Sequence, residues 1–142
     1  MAYIADTTSP AFYGVVAFAS LSSSTISDGA TALFTIDVGS NSITVSAGVF
    51  TLPQGYQWTV ITQLGVNQAG SRIFNLLVDG QVIATNQRIY VPSSTSNSAN
   101  LWATNVLTTE SAPKTVQLRN NSGASVTADT SSSGLFIIGV TL

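Results

Sequence analysis

The stretch that decides the fold is Ser46-Ala-Gly-Val-Phe-Thr-Leu-Pro-Gln-Gly-Tyr-Gln-Trp-Thr-Val60. Residues 49–52 predict a short strand that stops at Pro53, because proline has no N–H to donate to a sheet ladder. Gln54 and Gly55 then supply a turn, since glycine takes positive φ without a steric cost. A second strand starts at Tyr56. The stretch therefore predicts a strand, a corner and a strand, with aromatic side chains directed at a shared core.

Outward from this stretch, nearly every segment has the pattern of a β-strand. Residues 56–66 alternate over a long span, with one face formed by Trp58, Val60, Thr62 and Leu64 and the other by Gln57, Thr59, Ile61 and Gln63. Asp79-Gly80 lies between two apolar runs, 72–78 and 81–85, and predicts a tight hairpin. The remaining predicted strands are residues 11–19, 32–38, 43–45, 101–108, 115–119 and 134–142.

This spacing of strands and turns is typical of an all-β sandwich or barrel, and no helix is predicted. Three polar stretches, residues 20–29, 91–100 and 127–133, are predicted to be surface loops. At 142 residues the chain is long enough to bury a core without disulfides. We expect one domain over residues 11–142. Residues 1–10 form an arm that either docks on a neighbour or is an ordinary first strand.

The composition excludes several classes of function. Cysteine and histidine are both absent, which removes disulfides, zinc thiolates and the usual general base. The basic residues are only Arg72, Arg88, Lys114 and Arg119, and they are scattered, so nucleic-acid binding is not expected. No apolar run reaches the ~18 residues that would span a bilayer, and no signal peptide is evident. We expect neither membrane insertion nor secretion through a cleaved leader.

Charged side chains make up only 7% of the chain, against about 25% in an average soluble domain. Serine, threonine, asparagine and glutamine take the polar positions instead. A surface with little charge of either sign suits a subunit that packs against other subunits. Hydroxyl-rich surfaces are also common in β proteins, and the composition alone does not separate the two interpretations.

Several of these residues carry a family resemblance. Leu33-Phe34, together with Gly48, Phe50-Thr51, Pro53 and Gly55-Tyr56, resembles the core pattern of C1q/TNF-like jelly rolls. Ala11-Phe12, residues 115–119 and residues 132–138 resemble the family's opening, penultimate and closing strands. The resemblance implies an antiparallel two-sheet jelly-roll sandwich that forms a tight homotrimer. Without cysteine, a collagen stalk or much charge, the chain looks more like bacterial and viral members than animal ones.

Candidate sites for catalysis and metals are weak. Asp28, Asp37, Asp79 and Asp129 could offer calcium their carboxylates, but Asp-Gly pairs at 28 and 79 favour turns. We expect folding to need no metal and no cofactor, while a calcium on a trimer axis stays open. Asp6, Asp37 and Glu110 could serve as the two carboxylates of a glycosidase, yet their spacing gives no support. The chain is therefore expected not to be an enzyme.

The aromatic residues and polar loops are the candidates for contacts. Trp58 and Trp102 could stack on sugars, but both lie in predicted strands, so they are assigned with Tyr56 and Phe136 to the core or trimer interface. Residues 91–100, with Tyr90, are predicted to form the outward contact surface. The residues assigned to that surface are Tyr90, Ser93, Ser94, Thr95 and Asn97.

The sequence thus predicts a non-enzymatic, trimeric structural protein at the surface of a virus or phage particle. It would act as a spike head, a fibre head or a capsid decoration, and its partners would be a host glycan, a receptor or neighbouring capsid proteins. A lectin-like carbohydrate-binding module, which could be extracellular, and a pure capsid cement subunit are the alternatives.

Overall fold

The chain folds into two antiparallel sheets that face each other across one core. A computed structural model describes residues 14–66, 70–91 and 99–142, and for residues 70–71, 84–91 and 99–102 only the backbone is described. Sheet I has the order β3-β1-β11-β6-β9, with the short β2 paired to β11, and sheet II has the order β4-β5-β10-β7-β8. The strands are β1 Gly14–Leu21, β2 Thr25–Ile26, β3 Phe34–Gly39, β4 Thr44–Ser46, β5 Val49–Leu52, β6 Tyr56–Val66, β7 Gly70–Val78, β8 Gln81–Val91, β9 Ala99–Thr108, β10 Lys114–Asn120 and β11 Val126–Thr141.

The opening stretch forms the predicted strand, corner and strand. β5 ends before Pro53 and β6 begins at Tyr56, but the two strands belong to different sheets. The corner therefore carries the chain from sheet II to sheet I. Phe50 and Trp58, one from each strand, are both fully buried in the shared core.

Thr109, which follows β9, closes this corner with its hydroxyl group. Thr109 Oγ1 donates to the carbonyl of Pro53 over 2.7 Å and accepts a hydrogen bond from Trp58 Nε1 over 2.9 Å. The Thr109 carbonyl also accepts from the N–H of Gly55 over 2.7 Å. Because a buried indole N–H needs a partner, this one threonine allows Trp58 to be buried beside a corner.

Two hairpins use the same kind of turn. Asp79 and Gly80 have φ of 49° and 76° between the paired residues Val78 and Gln81, which confirms the predicted hairpin. In the hairpin between β4 and β5, Ala47 and Gly48 have φ of 49° and 77°. Positive φ at both central residues is the pattern of a type I′ turn. At Gly48 a side chain would also collide with the backbone carbonyl of Ala32, so only glycine fits.

Ala47 is the residue least suited to its turn, because alanine pays a steric cost at positive φ that asparagine largely avoids. We expect Ala47→Asn to raise the free energy of unfolding by about 0.5–1 kcal/mol. The measurement is the urea midpoint at unchanged slope. Ala47→Val is the matched control, because a β-branched side chain should lower the midpoint. A lower midpoint for Ala47→Asn would contradict the assignment of the turn.

The alternation predicted for β6 is confirmed, since Trp58, Val60, Thr62 and Leu64 are buried and the intervening residues are at least partly exposed. The predicted loop at residues 127–133 is wrong, because β11 begins at Val126 and runs through it. Residues in the first part of this stretch pair with β2 and β6, and the register shifts between Asp129 and Gly134. A polar composition suggested a loop, whereas the chain continues as one strand in which residues 130–133 form a bulge between the paired residues Asp129 and Gly134.

Other predicted boundaries move by smaller amounts. β8 continues to Val91 instead of ending at residue 85, because its second half pairs with the start of β7. The predicted loop at residues 20–29 starts two residues later, after Leu21, and contains β2, where Ile26 is buried. Residues 1–10, the predicted arm, lie outside the described residues, and the domain boundaries stay predictions.

Candidate interaction face

The outer face of sheet I, turned away from the core, carries a continuous set of apolar side chains. Buried and exposed residues alternate along β1 and β11, so every second side chain points outward. Phe18 is 46% exposed and Val106 is 59% exposed, although both are large apolar residues. The residues of this apolar face are Val16, Phe18, Val38, Ile61, Val106, Phe136, Ile138 and Val140.

The pairing register aligns these side chains in rows across the strands. One row runs through the paired residues Phe18, Phe136, Ile61 and Thr104. The rings of Phe18 and Phe136 lie 6.3 Å apart and are tilted by 57°. The next row runs through Val16, Ile138, Thr59 and Val106. Cross-strand pairs of this kind support the sheet, and here they also make the apolar surface continuous from strand to strand.

A depression of about 440 Å³ lies on this face beside the bulge of β11. Phe18, Ile61 and Phe136 supply its apolar side, and Gln63 with the serines of the β11 bulge supplies a polar rim. The side chain of Ser132 lies at this rim and is only partly exposed. A depression with apolar walls and a few polar groups is typical of a binding site.

Among the residues whose side chains the structure describes, the apolar face carries no charge. The polar residues between its apolar members are neutral, and they are Gln57, Thr59, Gln63, Thr104 and Thr108. Asp37 on the edge strand β3 is exposed beside Val38. Contiguous apolar patches without charge are uncommon on monomeric soluble proteins and mark surfaces that bind a partner.

The structure separates the residues that the sequence assigned to core or interface. Trp58 is fully buried and its ring lies 5.0 Å from that of the partly buried Tyr56, so Trp58 offers no surface for stacking on a sugar. Phe136 lies on the apolar face. Trp102 lies in β9, and its backbone pairs with that of Gln63 in β6. The structure does not describe the side chain of Trp102.

The predicted contact loop is largely outside the described residues. Tyr90 lies in β8 one residue before the strand ends at Val91, and its backbone pairs with Ser71. Ser93, Ser94, Thr95 and Asn97 fall in the segment 92–98, which the structure does not describe. The assignment of these residues to an outward contact surface stays a prediction.

Sequence reasoning missed most of the apolar face. It assigned Ile61 to the face of β6 opposite the core but gave that face no function. Phe18, Ile138 and Val106 were not singled out at all. The available signal was the unbroken apolar run at residues 135–138, because a strand with apolar residues on both sides is covered on both sides.

The candidate acidic residues serve local structure. Asp79 Oδ1 accepts the backbone N–H of Thr115 over 2.8 Å, and Asp28 Oδ1 accepts that of Gly123 over 2.8 Å. The Ser131 hydroxyl and N–H both donate to Asp129, and these hydrogen bonds hold the pKa of Asp129 below its ordinary value. Within the described ranges, no group of three acidic, histidine or cysteine side chains could hold a metal ion.

Two of the three acids considered for a glycosidase lie far apart in the structure. Asp37 lies on β3 and Glu110 follows β9, at opposite edges of sheet I. Four strand spacings come to about 19 Å, well beyond the ~5–9.5 Å that glycosidase carboxylates need. Asp6 lies outside the described residues.

Within the described residues, no helix is long and apolar enough to cross a membrane.

No protein-family model and no curated protein matches the sequence. The fold is similar to that of many solved structures. Murine APRIL at pH 5.0 is 12% identical, with a TM-score of 0.64 over 91% of this chain and 99% of that one. Eiger TNF from S. frugiperda is 12% identical, with a TM-score of 0.64, and the match covers 91% of this chain and 92% of Eiger. The globular domain of zebrafish complement 1qA protein is 12% identical, with a TM-score of 0.62, and the match covers 93% of this chain and 98% of that domain.

At this identity the likeness concerns the fold alone. It confirms the predicted fold class, an all-β sandwich of two antiparallel sheets with the C1q/TNF-like jelly-roll arrangement. None of the three structures is of bacterial or viral origin, so they give no support to the expected likeness to bacterial and viral members.

Proposed function

We propose that this chain, which has the C1q/TNF fold, is a non-enzymatic binding module that works as a homotrimer. The apolar face of sheet I is the surface through which its subunits associate. The observation that carries this proposal is an uncharged apolar face that spans β1, β11, β6 and β9 and is left uncovered in the single subunit.

Burial of this face gives the driving force for assembly. Each Å² of apolar surface removed from water contributes about 25 cal/mol, so half-exposed rings such as that of Phe18 favour association. Obligate interfaces often exceed ~2,000 Å² and are more apolar than ordinary surface. The low charge of the chain supports the same proposal, because close approach of identical subunits then meets little repulsion. The trimeric state is inferred from the fold, whose members typically form homotrimers.

The absence of catalysis is supported by the chemistry of the chain. Histidine and cysteine are missing, so neither can activate a nucleophile or serve as one. The described carboxylates are occupied in turns or lie far apart. Rigid strands that carry variable loops suit binding, and three copies of one loop provide avidity.

As a narrower role we propose that the trimer is displayed on a virus or phage particle and mediates attachment or capsid contacts. The composition supports this role, since a chain without cysteine and with few charges suits dense packing among other subunits. Immunogold labelling of purified particles with an antibody against this chain tests it. Regular labelling of the particle surface is expected, and its absence from every particle fraction would count against the role.

Introducing a charge into the apolar face tests the homotrimer. We expect the parent chain to have three times the 14.7 kDa subunit mass by light scattering at micromolar concentration. Phe18→Asp should shift that mass to the monomer, because the interface would bury an unpaired carboxylate. The matched control is Ile83→Asp, which replaces an apolar residue of 48% exposure on the other sheet and should leave the trimer intact. A monomeric parent chain would refute the proposal.

A further inference from the structure

Charge is divided between the two sheets. All four basic residues of the chain lie in strands of sheet II, where β10 holds Lys114 and Arg119, β7 holds Arg72 and β8 holds Arg88. The described strands of sheet II contain no acidic residue, and those of sheet I contain no basic one. Basic residues that look scattered in the sequence are therefore gathered on three adjacent strands.

Two of these basic residues, Arg119 and Arg88, belong to the outer face of sheet II, which is turned away from the core. Phe74 on β7 is fully buried in the core, so its neighbours Ile73 and Asn75 take the outward positions. Asn75 pairs with Arg119 on β10, and Ile73 pairs with Arg88 on β8, of which the backbone is described. From this pairing, the Cα atoms of the two arginines are about 12 Å apart.

The guanidinium of Arg119 is held in place beside the sheet. Arg119 is partly exposed, and its Nε donates to Oδ1 of Asn121 over 3.2 Å. The two Nη atoms carry four further N–H donors. A planar fork of this kind matches a carboxylate, which it binds through two parallel hydrogen bonds.

Two acidic residues border this face, and local hydrogen bonds hold both of them. Asp79 lies in the turn after β7, and its Oδ1 accepts the backbone N–H of Thr115. Asp28 accepts the backbone N–H of Gly123, in the loop after β10. Neither carboxylate lies in a strand of sheet II, so the charges on the strands themselves are all positive.

The other accessible groups on this face are neutral and polar. Asn75 on the central strand is only 8% exposed, so the groups that a partner reaches lie on the strands beside it. One row runs through the paired residues Thr44, Thr51 and Thr115, and Gln117 follows on β10. Hydroxyl and amide groups both donate and accept hydrogen bonds, as the hydroxyls of a sugar chain require.

We propose that the outer face of sheet II binds an acidic polysaccharide, a sugar chain that carries carboxylates. Arg119 and Arg88 bind its carboxylates, and the threonine row with Gln117 binds its hydroxyls. This inference goes beyond the proposed homotrimer and does not depend on it. The face lies on the sheet opposite the apolar face, so association through the apolar face leaves it open, and three copies would then act together.

Calorimetric titration with polygalacturonate at pH 7 and low salt tests this site. The chain has a net charge of −2, so general attraction to an anion is not expected, and binding requires a local site. The parent chain should bind, added NaCl should weaken the binding, and neutral dextran should not bind. Arg119→Gln and Arg88→Gln should each weaken binding about tenfold, because each removes hydrogen bonds to a charged group. Arg119→Lys keeps the charge without the planar fork and should give an intermediate loss.

Lys114→Gln is the matched control, because it makes the same change of charge in the same sheet. Lys114 precedes the outward Thr115 and takes an inward position at the start of β10, so its loss should change the affinity by less than about twofold. Unchanged urea midpoints show that the variants are folded. Equal losses for Lys114→Gln and Arg119→Gln would mean diffuse attraction and overturn the site. Equally tight binding of poly-glutamate or of a DNA duplex would overturn the assignment to a sugar chain.

Light scattering on the same samples separates this inference from the proposed function. A trimeric parent chain that does not bind polygalacturonate overturns the site and leaves the homotrimer standing. A monomeric parent chain that binds polygalacturonate, and loses binding with Arg119→Gln, refutes the homotrimer and supports the site.

Discussion

Gly139→Ala is expected to lower the free energy of unfolding by about 3 kcal/mol, at the upper end of the usual cost of overpacking. Gly139 pairs with Trp58 across β11 and β6, and the indole ring lies flat over the glycine. A β-carbon at this position would lie 2.7 Å from Cε3 and 2.8 Å from Cη2 of Trp58. The ring cannot retreat, because Trp58 is fully buried and its Nε1 is hydrogen-bonded to Thr109.

The measurement is the denaturant midpoint of the isolated chain, and a double-mutant cycle with Trp58→Phe serves as its control. Phenylalanine lacks the second ring, so the clash with the new methyl group should be relieved. Trp58→Phe is itself destabilising, since it loses buried surface and a hydrogen bond. The two substitutions together should therefore cost less than the sum of their separate costs. Additive costs, or a Gly139→Ala protein as stable as the parent, would contradict this account of the core.

Thr109→Val is expected to lower the free energy of unfolding by about 2–4 kcal/mol, because it leaves buried polar groups without a partner. Valine has nearly the shape of threonine but no hydroxyl. Trp58 Nε1 would lose its acceptor at 2.9 Å, and the Pro53 carbonyl would lose its donor at 2.7 Å. The corner between the two sheets would then have to open toward water or remain unsatisfied.

Thr109→Ser separates the hydroxyl from the rest of the side chain. Serine keeps the oxygen and removes one methyl group, so its cost should be no more than about 1 kcal/mol. Chemical denaturation of the three proteins gives both values, and the indole N–H resonance of Trp58 should move in the valine variant and stay in place in the serine variant. Equal costs for valine and serine would mean that packing of the methyl group, and not the hydrogen bonds, matters at residue 109.

Both predictions concern Trp58, whose burial can be predicted from the sequence although its neighbours in the core cannot. The alternation of residues 56–66 places Trp58 on the same side as Val60 and Leu64, and the structure buries all three. Nothing local points to Thr109 or Gly139, which lie 51 and 81 residues further along the chain. Their importance depends on which strands become neighbours of β6.

The candidate interaction face, too, depends on which strands pair and not on local sequence pattern alone. Phe18, Ile61 and Phe136 come from three distant segments and meet only because β1 and β6 both pair with β11. Period-two alternation says that a strand has two faces, but it does not say which face is covered or by what. For that reason the sequence predicts only that Phe136 lies in a core or an interface, and it predicts no role for Phe18 or Val106.

The sequence by itself determined the local structure of this protein. Pro53 and Gly55 end one strand and turn the chain, Asp79-Gly80 closes a hairpin, and the alternation of β6 separates core from surface, because each of these features acts between residues that are close along the chain. The tertiary structure alone decided that the corner joins two sheets, that the polar residues 127–133 belong to β11, and that an uncharged apolar face spans sheet I. These outcomes depend on hydrogen-bond register between strands that are distant in sequence, and register is a property of the assembled sheets.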